Sequence, residues 1–328
     1  MVPQLWCSAN PGSKAHEIKK KRKRSNMISE TVVKALEQFL PAENVYCKEP
    51  MKKHTTFRIG GEADLFLRIE NSGQLKAVQD YLLKLEIPYY VLGNGSNLLV
   101  SDEGYSGVIL EIVGKMNMIR VEGNSIIAQA GALMSKIAHV AYEHGLTGFE
   151  FAAGIPGTIG GGVVMNAGAY GGELKNVVTA VEVLDKNGEL LSLDNQTMEF
   201  GYRTSVLKKQ PFIVTEVQIE LQEGCKDDIK ATMDDLAAKR REKQPLEYPS
   251  AGSTFKRPEG YFAGKLIMDA GLRGYQVGGA QVSEKHCGFV INKGEATAAD
   301  VKQLVADVQQ EVKNKFGVDL ETEVIFLE

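Results

Sequence analysis

Two glycine-dense segments constrain this chain more than any other feature. They read LGNGSNLLVSD over residues 92–102 and GIPGTIGGG over residues 154–162. Glycines spaced this closely let the backbone turn sharply and leave its amides unscreened by side chains. Such amides form an anion cradle, to which Ser96 and Asn97 add side-chain donors. A dinucleotide fingerprint would need a third glycine where Leu98 stands, and a helix where a short apolar run follows. A P-loop would need a lysine after its glycines, and the second segment has none. Two such loops point to one extended, phosphate-bearing ligand. Tight turns without a ligand are the other reading.

The flanking pattern fixes the class. Helices are predicted over 28–40, over 71–87 with Leu75, Val78, Leu82 and Leu85 inward, and over 132–145 with Leu133, Ile137 and Val140 inward. Strands are predicted at ADLFLRI, PYYVLG, NLLVSD and GVILEI. One hairpin turns at Gly123-Asn124 and another at Asn187-Gly188, the latter read as a primed turn. A glycine-rich loop covers 154–172, a long strand 211–224 and a charged helix 226–245. The strongest helix is 297–317, with a Thr297/Asp300 capping box and a stripe of Val301, Leu304, Val305, Val308, Val312 and Phe316. ETEVIFLE reads as a last strand. Strands and helices mix without strict βαβ alternation, which predicts an α+β fold.

A chain of 328 residues is long enough for two or three domains. The expected division is a basic tail or non-native leader over 1–26, with Met27 as a native start, then a body split near Glu223-Gly224. Residues 1–26 hold seven Lys/Arg against one Glu, which leaves 31 Lys/Arg against 41 Asp/Glu in the rest. An acidic body argues against nucleic acid as the partner. No apolar run approaches the roughly 18 residues of a membrane span. The four cysteines form no CxxC pair and the five histidines no metal-ligand spacing, so reduced thiols, a cytoplasmic location and no metal are expected. No obligate protein partner is evident.

PSAGSTFKRP, residues 249–258, sets Ser253 after Gly252 and before Lys256 and Arg257. The residues alone leave Ser253 as a nucleophile, a phosphate ligand, a proton donor or a turn residue. AGSTF is not the G-x-S-x-G elbow of a hydrolase.

VLGNGSNLLVSDEGYSGVIL and GFEFAAGIPGTIGGGVVMNAGAYGGE, followed in order by FGYRTS, AGSTFKRP and LETEV, resemble the UDP-N-acetylenolpyruvoylglucosamine reductase family. The resemblance covers about residues 28–328 and implies an FAD-binding domain of the vanillyl-alcohol oxidase and p-cresol methylhydroxylase type. That domain would span 27–223, in subdomains 27–98 and 99–223, with a substrate-binding α+β domain over 224–328. It implies noncovalent FAD, NADPH as hydride donor and a nucleotide-sugar substrate. The enolpyruvyl ether of UDP-N-acetylglucosamine would be reduced to the lactyl ether of UDP-N-acetylmuramate, a peptidoglycan precursor.

The implied catalytic residues are Arg203 and Glu323, which would stabilise an enolate, and Ser253, which would protonate the α-carbon. Glu321 is the alternative to Glu323, because alternation along a strand puts both on one face. Implied cofactor contacts are Gly93, Asn94, Gly95, Ser96, Asn97, Gly154, Ile155, Pro156, Gly157, Gly160, Gly161 and Asn166. Lys243 and Arg257 are candidates for the substrate diphosphate, and Tyr202 and His286 for other substrate contacts. The chain is similar to the family's shorter type, so no tyrosine-bearing covering segment is carried over. An oxidase of the same flavin fold and a flavin-free nucleotide-sugar binding protein are the rival readings.

Overall fold

The computed structural model describes residues 28–328, so the expectations for the basic segment 1–26 and for Met27 lie outside the described residues. The chain opens with helix α1 (Glu30–Leu36), shorter than predicted, and strands β1 (Val45–Pro50) and β2 (Glu62–Arg68). Helix α2 (Ser72–Lys84) then leads to β3 (Tyr89–Leu92), β4 (Leu98–Val100) and β5 (Tyr105–Glu111). Asn71 caps α2 by accepting the Gln74 amide, and Leu75, Val78 and Leu82 are buried. Leu85 is not part of that face: it follows the last helical turn and is 39% exposed.

One sheet has the order β1-β2-β5-β3, with β1 antiparallel to β2 and the other pairs parallel. It runs through Glu111, so a subdomain limit at residue 98 would cut it. Short apolar runs such as β4 and β5 do not announce their partners, and here the two go to different sheets.

A second sheet is antiparallel throughout, in the order β9-β8-β10-β7-β6. Its strands are β6 (Ile119–Glu122), β7 (Ser125–Gln129), β8 (Val178–Leu184), β9 (Leu190–Asp194) and β10 (Ile213–Glu220). The β6–β7 hairpin turns at Gly123-Asn124 with positive φ only at the glycine. The β8–β9 turn is not the primed type. Asn187 keeps negative φ, Gly188 takes +75°, and the Asp185 amide donates to the Glu189 carbonyl at 2.9 Å. This is a three-residue loop with a glycine bulge, held because the Asp185 carboxylate accepts the amides of Asn187 and Glu189.

Helix α3 (Met134–Glu143) buries Met134, Ile137, Ala138 and Ala141 rather than Leu133 and Val140, because Leu133 is its N-cap. The expected loop 154–172 contains a short helix, α4 (Ile159–Val164). Glycine's poor helix propensity hides it in the sequence. Packing requires the glycine: a Cβ on Gly160 would lie 2.8 Å from the Ala130 side chain.

After the charged helix α5 (Lys226–Lys243) come β11 (Ser250–Ser253), α6 (Ala263–Asp269), β12 (Gln276–Val277), β13 (Ala280–Val282) and β14 (Phe289–Asn292). Helix α7 (Ala298–Phe316) and strand β15 (Ile325–Leu327) follow. The third sheet has the order β11-β14-β13-β12, and α7 buries Val301, Leu304, Val305, Val308 and Val312 beside it. The Thr297/Asp300 capping box is formed, whereas Phe316, in the last turn, is 39% exposed.

Two features tie this part to the first. Strand β15 pairs in parallel with β4, and the Asp102 carboxylate accepts the Ala298 and Ala299 amides at the start of α7. Phe57, Ile59 and Leu99 also bury in the apolar cluster that contains α7.

Candidate functional site

The two glycine segments meet at a cavity of about 1000 Å³. Gly93, Asn94, Gly95, Ser96 and Asn97, between β3 and β4, all line it, as do Gly154, Ile155, Pro156, Gly157 and Gly161 before and within α4. Gly95 has φ +60°, and a Cβ there would lie 2.0 Å from the His54 carbonyl oxygen. Among the described residues, none of the backbone N–H groups of 93–97 meets a protein acceptor. Unpaired amides beside a cavity are donors for an anion. Asn94 Nδ2 donates to the Pro156 carbonyl at 2.8 Å and braces one loop against the other. The donor set fits an extended ligand carrying phosphates.

Gly160 and Asn166 do not line the cavity. Gly160 faces Ala130, as described. Asn166 is buried, and its amide donates to Glu173 at 2.8 Å and to the Gly201 carbonyl at 3.0 Å. Its polar groups are used within the protein, where they steady the turn that carries Arg203. Arg58 and Arg240, which sequence reasoning did not single out, do line the cavity.

Tyr202 and Arg203 are the central residues of a tight turn closed by paired Gly201 and Thr204. Arg203 has φ +55°, a left-handed conformation that non-glycine residues seldom adopt. Its Nε lies 2.7 Å from Glu323 Oε1, but the N–H does not point along a hydrogen bond, so the contact is chiefly Coulombic. Burial raises the pKa of the Glu323 carboxyl above the ordinary value, against the opposing pull of Arg203, Lys208 and Lys256.

Glu321, by contrast, is exposed and paired with Lys256 at 2.8 Å, which lowers its pKa. The Glu323 amide donates to the Thr254 carbonyl at 2.8 Å, so the main chains beside Ser253 and Glu323 are tied together. Asn97 Nδ2 donates to the Glu323 carbonyl at 3.0 Å, which joins the first glycine loop to the same segment. Among the described residues, the Ser253 hydroxyl has no protein partner.

A second cavity of about 420 Å³ is lined in part by this group. Among the described residues, Arg203, Ser253 and Glu323 line both cavities and no other is shared between the two linings. Tyr202, Arg257 and His286 line the second cavity, whereas Lys243 is exposed on α5 and lines neither. Arg273 and Lys285 add positive charge that the sequence pattern did not reveal. The Arg257 guanidinium sits 4.0 Å over the Phe262 ring, and its amide donates to the Tyr202 hydroxyl at 3.0 Å. Burial lowers the pKa of His286, and its Nδ1 accepts the Gly288 amide, so it is a neutral ring near pH 7. No described helix is long and apolar enough to cross a membrane.

Two family models match the chain. The family model "FAD binding domain" matches residues 63–194. The model "UDP-N-acetylenolpyruvoylglucosamine reductase, C-terminal domain" matches residues 244–327. A UDP-N-acetylenolpyruvoylglucosamine reductase of Caldanaerobacter subterraneus subsp. tengcongensis is 54% identical over 90% of this chain and 98% of its own. One of Clostridioides difficile is 51% identical over 88% of this chain and 95% of its own. The crystal structure of the enzyme from Thermus caldophilus superposes with a TM-score of 0.75 at 36% identity, covering 87% of this chain and 98% of that one.

Proposed function

The chain belongs to the UDP-N-acetylenolpyruvoylglucosamine reductase family of FAD oxidoreductases, and from that premise we propose that it makes UDP-N-acetylmuramate for peptidoglycan in the cytoplasm, with NADPH as reductant. One observation carries the assignment of roles. Arg203, Ser253 and Glu323 are common to a cavity lined by phosphate-type donors and a cavity rich in basic and aromatic side chains. The first cavity would hold FAD, which would supply hydride chemistry when bound, and the second would admit the nucleotide sugar.

The amides of 93–97, with Gly154, Ile155, Pro156, Gly157 and Gly161, hold the cofactor without a covalent link. Arg257, joined by Arg273 and Lys285, takes the substrate diphosphate, and Tyr202 and His286 flank it. Arg203 faces the substrate carboxylate, where negative charge grows as the β-carbon is reduced, and stabilises it electrostatically. Glu323, its pKa raised by burial, is protonated over a wider pH range than a free carboxyl and donates a hydrogen bond to the same enolate oxygen. The Ser253 hydroxyl, without a protein partner among the described residues, gives its proton to the α-carbon and regains one from water in the cavity.

An anaerobic titration tests this reading. NADPH should bleach the flavin absorbance of the purified protein, and UDP-N-acetylglucosamine enolpyruvate should restore it far faster than air does. Restoration by air alone would leave an oxidase, and a colourless protein would leave a binding module.

A further inference from the structure

The described residues place a third cation beside Arg203 and Glu323. Lys208 closes a one-turn 3-10 helix (Val206–Lys208) that follows the Arg203 turn. Its ammonium donates to the Arg203 carbonyl at 2.8 Å. A half-buried ammonium ordinarily needs a carboxylate partner, since burial penalises the charge. Among the described residues Lys208 has none within ion-pair distance, and its hydrogen bond goes to the main chain of a residue in left-handed conformation.

The charged groups whose fields act on it are Lys256, Glu323 and Arg203. Lys256 is already paired with Glu321. Glu323 is paired with Arg203, so Lys208, behind that pair, keeps a positive charge that no carboxylate of the described residues meets within ion-pair distance.

We propose that Lys208 is a positioning residue for the enolpyruvyl step. Through the Arg203 carbonyl it fixes the strained turn that aims the guanidinium, and its charge sets how Glu323 and a substrate carboxylate divide the local field. The inference rests on the function proposed above. Burial, followed by Lys256, lowers the pKa of Lys208 while Glu323 opposes the fall.

Lys208→Met and Lys208→Arg, prepared as FAD-loaded enzymes, test it. Lys208→Met should keep its flavin and its rate of reduction by NADPH. Reoxidation by UDP-N-acetylglucosamine enolpyruvate should slow about tenfold, within the coupling expected of contacting residues. UDP-N-acetylmuramate, which carries the carboxylate, should bind the oxidised enzyme about tenfold more weakly, while UDP-N-acetylglucosamine binds as before.

Because Lys208 favours the charged form of Glu323, its loss should move the alkaline limb of the enolpyruvyl step to higher pH. Lys208→Arg should restore rate, affinity and limb. An unshifted limb in Lys208→Met, an equal loss in both half-reactions, or failure of arginine to rescue would overturn the assignment. Wild-type enzyme inert toward the enolpyruvyl sugar would overturn the proposed function itself, and this inference with it.

Discussion

Glu323 shows how a single burial decides between two residues that sequence cannot separate. Glu321 and Glu323 stand two apart, yet the first pairs with Lys256 in solvent and the second faces Arg203 between the cavities. With a raised pKa, Glu323 holds its proton above the ordinary carboxyl range and loses it as pH rises through the new value. The enolpyruvyl half-reaction should therefore fall on the alkaline side, and Glu323→Gln, a permanently neutral donor, should remove that limb while lowering the plateau.

Ser253→Ala should leave flavin reduction by NADPH intact and slow the second half-reaction by roughly two to four orders of magnitude, the range of general acid catalysis. Equal loss in both steps would make the serine a cofactor-positioning residue. Gly95→Ala should cost flavin affinity, because its Cβ has only 2.0 Å to the His54 carbonyl oxygen and φ is +60°. Protein purified with full flavin occupancy would contradict this. Arg203, Ser253 and Glu323 were legible as a trio only through family resemblance. Lys208 and Arg273 were not legible at all, since a basic residue in a turn has the same local pattern whether it faces water or a cavity.

At the scale of elements, legibility followed the strength of local signals. Helices α2 and α7 and both hairpins carry periodicity and caps that survive in any context. Strand β1 and helix α4 do not: one alternates poorly, and the other is rich in glycine because Ala130 leaves no room for side chains. The Thr297 cap of α7 is worth about 1 kcal/mol. Thr297→Ala should lower the melting temperature accordingly without changing flavin binding.

The segment after β1 holds a less obvious device. His54 lies between Glu49 at 3.0 Å and Glu111 at 3.2 Å, and Arg68 also binds Glu111. Burial alone would lower the His54 pKa, but the hydrogen bonds to Glu111 and Glu49 raise it above 6.5. The stability this contributes is complete below the unfolded value and is lost as pH rises through the folded one. Unfolding midpoints in denaturant should decline between neutral and alkaline pH, and His54→Gln should flatten that decline.

For the whole molecule, the two family matches at 63–194 and 244–327 invite a picture of independent halves. The contacts argue otherwise. Phe57, Ile59 and Leu99 belong to the core built around α7, and Asp102 caps that helix from the flavin-binding side. A domain limit read from composition near residue 223 misses this because strand pairing is non-local, and no window of sequence records its partner. Deleting residues 325–328 should release flavin and lower stability together, since β4 would lose the strand it pairs with and the Asn97 carbonyl the Ile325 amide that donates to it. A truncated protein that stays yellow would refute that linkage.

The pairing of β15 with β4 also sets an order of events during synthesis. Residues 325–327 leave the ribosome more than 200 positions after their partners at 98–100. The first glycine loop therefore waits, tethered on one side only, until residues 325–327 have been made. Ribosome-bound chains arrested before residue 325 should not retain flavin, and capture of the cofactor should follow the emergence of residues 325–327.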